Sequence, residues 1–262
     1  MASEVSLDLA GKVAIVTGGT RGLGHDIALR LAEAGCRVAV CGRNAPAGLP
    51  DGAPSLPDGI VFHAADVRDP DQAAAFTRAV VAEHGRLDIL VNNAGGSPPA
   101  PADTMSPRLA EAIVRLNLLG PFHMAQAAFA PMRAGGGGSV VNIASVSGIR
   151  PSPGTAIYGA AKAGLLNLTQ SLAQEWGVHG IRVNAIIAGL MATETAEQTY
   201  GDAAAQAAVA RSMPLQRMGV GNDLAGAVLW LCSPLASWVS GARINVDGGG
   251  ERPYFLDLVK GA

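Results

Sequence analysis

Charge is scarce in this chain. Only 15% of the 262 residues are Asp, Glu, Lys or Arg, and the formal net charge is −2. Nothing in that balance points to nucleic acid or an anionic membrane as a partner. Aromatic residues are scarcer still at 4%, whereas hydrophobic residues make up 49%, enough for a large aliphatic core. The cysteines are three, Cys36, Cys41 and Cys232, an odd number without metal-ligand spacing. That pattern argues against a disulfide framework and suits buried thiols in a reducing compartment, so a cytoplasmic protein is expected. The five histidines (His25, His63, His84, His123, His179) form no ligand cluster, and no metal is expected. No apolar run is long enough to cross a bilayer. Glu4 and Asp8 interrupt the first residues and no apolar leader segment follows, so a secretory leader is not expected.

Glycine, by contrast, is plentiful at 34 residues, as a fold with many tight turns requires. Short apolar runs alternate with helical patterns almost to the end. Strands are expected at 12–17, 37–41, 60–65, 87–91, 139–143, 181–187 and 243–246. Helices are expected from about Gly22, and over 71–84, 107–132, 155–178 and 223–232, with an alanine-rich, lightly packed helix at 203–210. Near-continuous apolar strands separated by helices imply a parallel sheet covered on both faces. One α/β domain over residues 1–262 is expected, with a flexible N-terminus at 1–8. Residues 44–59 hold four prolines and three glycines where a crossover helix would stand, and read as an irregular loop. The run Gly135–Gly138 reads as a mobile turn.

The first expected strand runs into Gly18-Gly19-Thr20-Arg21-Gly22-Leu23-Gly24, followed by Ile27, Ala28, Leu31 and Ala32 at helical spacing. Strand, glycine-rich turn and helix together form a dinucleotide-binding arrangement. The glycines let backbone approach a pyrophosphate, and the helix start offers free N–H groups and a positive dipole end. Farther on, Tyr158 and Lys162 lie four residues apart in an expected helix and share a face. A free tyrosine, with a pKa near 10, is only about 0.1% ionised at pH 7. A neighbouring ammonium favours the phenolate, and bringing such a phenol down to neutrality takes about 4 kcal/mol of differential interaction. Such a phenol could exchange a proton with an alcohol or carbonyl oxygen. Taken alone, the pair also reads as two surface residues.

In order and spacing, Thr17-Gly18-x-x-x-Gly22-x-Gly24, Asp66-Val67, Asn92-Asn93-Ala94-Gly95, Asn117, Ser145, Tyr158 and Lys162 resemble the short-chain dehydrogenase/reductase family. The likeness runs from about Leu9 to Gly250. It implies a Rossmann-type doubly wound sheet of seven strands in the order 3-2-1-4-5-6-7. It also implies an oxidoreductase that passes hydride between a nicotinamide cofactor and a carbonyl or secondary alcohol. In that resemblance Tyr158 is the proton donor and acceptor, and Ser145 hydrogen-bonds the substrate oxygen, with Ser147 a rival. Lys162 lowers the tyrosine pKa and holds the nicotinamide ribose, and Asn117 extends a proton relay through a backbone-bound water. Gly18, Thr20, Arg21, Gly22, Leu23 and Gly24 meet the cofactor, as do Asn93, Ala94 and Gly95. Asp66 and Val67 contact the adenine. Gly189, Met191 and Thr193 line the nicotinamide end.

Two departures stand out. Ala188 replaces the proline that usually precedes Gly189, removing a φ restraint and leaving the geometry of the following loop open. The Pro/Gly-rich stretch at 44–59 lies toward the adenosine end. Cofactor preference is read where the second strand ends. The residues there are Cys41-Gly42-Arg43-Asn44, with no carboxylate to pair ribose hydroxyls and repel a 2′-phosphate. Arg43 and Arg21 could hold that phosphate, which favours NADP(H) over NAD(H). They could also be merely exposed, or stack on the adenine.

For substrate, Gly96–Pro99, Val146–Ala156 and the flap from Leu190 to about Met213 are expected to line the pocket. The first two segments carry few charges; Arg150 could meet an anionic tail, although a surface arginine is the commoner case. An apolar ketone or alcohol fits, with steroid-like or ring-derived compounds suggested by family resemblance. The resemblance further implies a homotetramer, with the apolar tail 251–262 at a subunit interface. A non-catalytic NAD(P)-binding regulatory protein is the alternative. A lyase or epimerase on the same fold would carry a Gly-x-x-Gly-x-x-Gly turn, absent here.

Overall fold

The computed structural model describes residues 6–45, 56, 59–194, 196–253 and 258–259. Most of the Pro/Gly-rich stretch and of the apolar tail lies outside them, as do the first five residues. Seven strands, β1 (Val13–Thr17), β2 (Arg37–Gly42), β3 (Val61–Ala64), β4 (Ile89–Asn92), β5 (Gly138–Ser145), β6 (Ile181–Ala188) and β7 (Arg243–Val246), form one sheet. Every pairing is parallel, and the spatial order is 3-2-1-4-5-6-7, as expected.

Alternation along each strand builds two cores. On β1, Ala14 and Val16 face helices α1 (Gly22–Glu33) and α8 (Gly221–Cys232), meeting Ile27, Leu31, Leu224 and Val228. Val13 and Ile15 face the other way, with Phe76 and Val80 of α2 (Pro70–His84), Met124 and Ala128 of α4 (Gly120–Ala134), and Leu172 of α5 (Ala156–Trp176). The helices begin and end where local chemistry allows. Asp69 caps α2 by accepting from Asp71 and Gln72 N–H groups, Pro70 takes the first turn, and Gly85 closes the helix at φ 75. Ser106 caps α3 (Pro107–Val114) through the Leu109 N–H.

The structure corrects one reading of the sequence. The helix expected over 107–132 is not continuous: a π turn, Arg115–Leu119, separates α3 from α4. That turn contains Asn117, as π turns at functional sites often carry a chemically distinctive residue. The Gly135–Gly138 run is hydrogen-bonded to the elements on either side. Gly137 N–H donates to Met132 O at 2.9 Å and Gly138 N–H to Gly180 O at 3.2 Å. A Cβ on Gly137 would fall 2.5 Å from Gly180 O, so glycine is needed for two backbones to cross. Helix α7 (Ala203–Ser212) buries none of its residues, in keeping with the light packing read from its alanines.

Candidate active site

The carboxyl ends of β1, β4, β5 and β6 bring the singled-out residues together, beginning at the glycine turn. Gly18 (φ 64) and Gly22 (φ 55) take left-handed conformations that side chains disfavour. Gly24 lets α1 settle on the turn, because a Cβ there would stand 2.4 Å from Gly18 O and 2.3 Å from Asn93 Nδ2. Asn93 Nδ2 donates to Thr17 O at 3.0 Å and Gly18 O at 3.3 Å. In return, Thr17 Oγ1 accepts from the Asn93 and Ala94 N–H groups, each at 3.0 Å. Residues at the ends of β1 and β4 are thus laced into one backbone platform. Leu23 packs partly buried on the core.

Beside this platform sits the polar cluster. Lys162 of α5 is 3% exposed, and its Nζ donates to Ile143 O of β5 at 2.8 Å. A Cβ on Gly95 would come within 3.1 Å of that Nζ and 2.8 Å of Asn117 Oδ1, so the chain after β4 runs directly over both. The Asn117 side chain is fully buried and clamps Gly96, accepting from its N–H and donating to its O, both at 2.9 Å. It also donates to Ile113 O at 2.9 Å. The Ser145 side chain stands close enough to the Tyr158 phenol to favour its ionised form. Ser145 Oγ also accepts from Ser147 N–H at 3.2 Å, while Ser147 Oγ accepts from Ser152. Of the two serines, Ser145 is the one that acts on the phenol.

Helix α5 is held in register by a buried chain of polar groups. Asn92 of β4 donates to Asn142 of β5 at 2.9 Å, and Asn142 donates to Thr169 of α5 at 2.9 Å. With Lys162 on Ile143 O, this fixes where Tyr158 stands.

The electrostatics differ from the expected picture. Burial pushes the Tyr158 phenol up rather than down, against a lowering from the Ser145 hydrogen bond, with the Tyr200 phenol adding to the rise. Lys162 does not offset this. Its Nζ lies 5.7 Å from the Tyr158 ring centroid and is turned toward a carbonyl, and burial depresses its own pKa to about 8. In this structure the tyrosine is therefore a protonated acid at neutral pH.

At the adenosine end, β2 closes at Gly42, where a Cβ would sit 3.5 Å from Thr20 Oγ1. Arg21 and Arg43 are exposed. Arg43 is near enough to add to the lowering of Asp66, whose carboxyl is held down chiefly by Arg68. Arg68 grips Asp66 through Nε at 2.9 and 3.0 Å and through Nη2 at 2.5 Å. The adenine contact implied for Asp66 would share that carboxylate. Val67 is buried beside it, 5% exposed.

Beyond β6, Gly189 approaches β7 so closely that a Cβ would lie 2.5 Å from Asp247 Cα. Ala188, in place of the usual proline, stays in the ladder between Ser145 and Val246. The flap then begins in order: Met191 bridges Gly219, Ala192 N–H donates to Gly219 O at 2.8 Å, and Gly219 N–H donates to Leu190 O at 3.0 Å. Thr193 O accepts from Ala196 N–H at 2.9 Å. With Ala188 in the proline's place, the entry to the flap is thus paired with Gly219.

Of the two readings open for Arg150, a contact to an anionic tail or an ordinary surface arginine, the structure favours the second. Arg150 pairs with Glu251 at 2.5 Å and ties the loop after β5 to the segment after β7. Two further residues were not singled out from the sequence. Tyr200 of α6 (Ala196–Tyr200) takes a hydrogen bond from the Met191 backbone, and its phenol is pushed up by burial. Glu194 reaches from the flap to the glycine turn, where its Oε1 accepts from Gly22 N–H at 3.0 Å. Its own backbone N–H, then that of Gly22, then Arg21 and His25 hold its carboxyl below the usual range. A Tyr and a Glu inside the flap were the only signals available for these two.

The residues present suit a dinucleotide: a strand–glycine turn–helix start without local capping, a laced platform beside it, and a lysine beneath the Gly95 backbone. The family model described as enoyl-(acyl carrier protein) reductase matches residues 18–251. The chain is similar to 2-dehydro-3-deoxy-D-gluconate 5-dehydrogenase of Escherichia coli, with 37% identity over 93% of this chain and 97% of that one. It is also similar to the 7alpha-hydroxysteroid dehydrogenase of Escherichia coli, with 34% identity over 95% and 98% of the two chains. A solved structure from Sinorhizobium meliloti, described as a putative short-chain alcohol dehydrogenase, superposes with a TM-score of 0.84 at 38% identity, covering 94% and 98% of the two chains. With its sheet order and its Ser145–Tyr158–Lys162 cluster, this chain belongs to the short-chain dehydrogenase/reductase family and is a nicotinamide-dependent oxidoreductase.

Proposed function

We propose that this enzyme interconverts an apolar ketone and its secondary alcohol, with NADP(H) preferred over NAD(H). The observation that carries the reading is the convergence at the carboxyl end of β5 of Ser145, the Tyr158 phenol on which it acts, and a buried Lys162 held on Ile143 O. When bound, the nicotinamide nucleotide supplies or accepts the hydride. Tyr158 gives its proton to the substrate oxygen in reduction and takes it back in oxidation; the raised pKa keeps the phenol protonated for the first of these. Ser145 donates to the same oxygen and steadies the negative charge that develops there. Lys162 holds the ribose hydroxyls with its ammonium, and Asn117 fixes the loop over it. Burial of the cluster excludes water, which strengthens each of these interactions.

The phosphates would lie against Gly18–Gly24 and the N–H groups at the start of α1. Asn93, Ala94 and Gly95 offer backbone to the cofactor; Asp66 and Val67 border the adenine; Gly189, Met191 and Thr193 border the nicotinamide. Preference for the 2′-phosphate rests on Arg21, Arg43 and the absence of a carboxylate at Gly42. An apolar substrate is favoured because the Tyr200 ring stands near the Tyr158 phenol, Met191 is buried at the root of the flap, and Arg150 is already paired. The two dehydrogenase relatives act, by their names, on a sugar acid and on a steroid, so similarity of this order does not choose between polar and apolar substrates. We further propose a cytoplasmic homotetramer, in keeping with its buried thiols, among which burial pushes Cys41 and Cys232 up to about 12.

Fluorescence titration with NADPH and with NADH tests the cofactor reading, followed by a panel of apolar ketones, steroids and sugar acids. Tighter NADPH binding and turnover confined to apolar ketones are expected. A preference for NADH would overturn the cofactor assignment, and turnover of sugar acids alone would overturn the substrate class.

A further inference from the structure

Helix α1 begins without a local cap. Arg21, at its N-cap, makes no side-chain hydrogen bond to the first turn, and that turn contains no acidic residue. Its first N–H groups would stay unsatisfied by local sequence. One is nevertheless satisfied from a distance of 172 residues: Gly22 N–H donates to Glu194 Oε1 at 3.0 Å. The second carboxylate oxygen faces the same residue: a Cβ on Gly22 would stand 3.2 Å from Oε2. A carboxylate at a helix start is favoured by the N–H groups and by the dipole, the same two features that attract a phosphate.

Resting on the cofactor reading above, we infer that Glu194 is a built-in competitor for the cofactor's phosphates and thereby sets cofactor affinity. Before a nucleotide binds, it caps α1 and fastens the flap to the glycine turn. A dinucleotide must draw the Gly22 N–H away from this carboxylate and separate its own negative charge from it. The start of the flap is anchored independently by the Met191–Gly219 bridge, so release of Glu194 frees the segment that follows without unravelling its root. Binding at the pyrophosphate site and movement of the flap are coupled through this one contact.

The experiment compares wild type with Glu194→Gln and Glu194→Ala. Glu194→Gln removes the charge and keeps an acceptor; Glu194→Ala removes both. Dissociation constants for NADPH and NADH are measured by fluorescence, and limited proteolysis of the flap is followed with and without nucleotide. Both variants are expected to bind the preferred nucleotide about three- to tenfold more tightly than wild type. Without nucleotide, Glu194→Ala should be cut faster in the flap. Unchanged or weaker binding in both variants, with wild type binding normally, would overturn the inference and leave the cofactor reading intact. If neither nucleotide bound wild type or variants, the cofactor reading would fall, and the inference with it.

Discussion

At the scale of single residues, the site depends on where two protons reside. Burial holds the Tyr158 proton on and loosens the Lys162 proton, bringing the latter to about 8. An ordinary lysine stays charged to about pH 10.4; this one is an ammonium below about 8 and neutral above it. A reaction that needs the ammonium should therefore fall off as pH rises through about 8. We expect kcat/KM for carbonyl reduction to show that decline across the range around this value in a stopped-assay profile. A profile flat well into the alkaline range would mean that the lysine charge is not used. Ser145→Ala should lower kcat by about a hundredfold, the usual loss for one donor to a developing oxyanion, while leaving the nucleotide dissociation constant unchanged. The identities of these residues were legible from the sequence. The direction of the lysine was not, because four-residue spacing places Tyr158 and Lys162 on one helix face but does not say that a carbonyl of β5 will claim the amine.

At the scale of elements, α5 matters because it carries the phenol, and its position depends on polar groups inside the core. Replacing Thr169 by Val keeps the shape and removes the hydroxyl that accepts from Asn142. A buried amide left without its acceptor costs about 1–3 kcal/mol, and urea unfolding should show a loss of that size. An unchanged midpoint would mean the Asn92–Asn142–Thr169 chain does not hold the helix. Gly189→Ala should also destabilise the fold, since its new Cβ would lie 2.5 Å from Asp247 Cα; thermal melting reads that directly. The strands were legible because they are near-continuous apolar runs, broken in β5 only by the buried Asn142 between Val141 and Ile143. The π turn at Arg115–Leu119 was not, because one extra residue per turn leaves the apolar spacing almost helical. Nor could the Glu194–Gly22 contact be read, since no local pattern links residues so far apart in sequence.

For the whole molecule, the sheet order follows from strand–helix alternation, which is why the fold was readable almost end to end. What covers its outer surface was less so. Trp238 is fully exposed and Leu235 half exposed, and Trp230 of α8 is 36% exposed. An apolar surface of this kind favours a second copy, and light scattering should give a mass near four chains. A monomer at micromolar concentration would contradict the tetramer. Among the described residues, no helix is long and apolar enough to cross a membrane. The central claim, however, is chemical: one buried phenol moves the proton while hydride passes to or from the nicotinamide. Steady-state turnover of Tyr158→Phe with the preferred nucleotide and ketone, alongside that nucleotide's dissociation constant, tests it most directly. Turnover should fall by a factor of about a thousand or more, general acid–base catalysis being worth roughly 10²–10⁴, with nucleotide binding unchanged. Turnover within tenfold of wild type would contradict proton transfer by Tyr158.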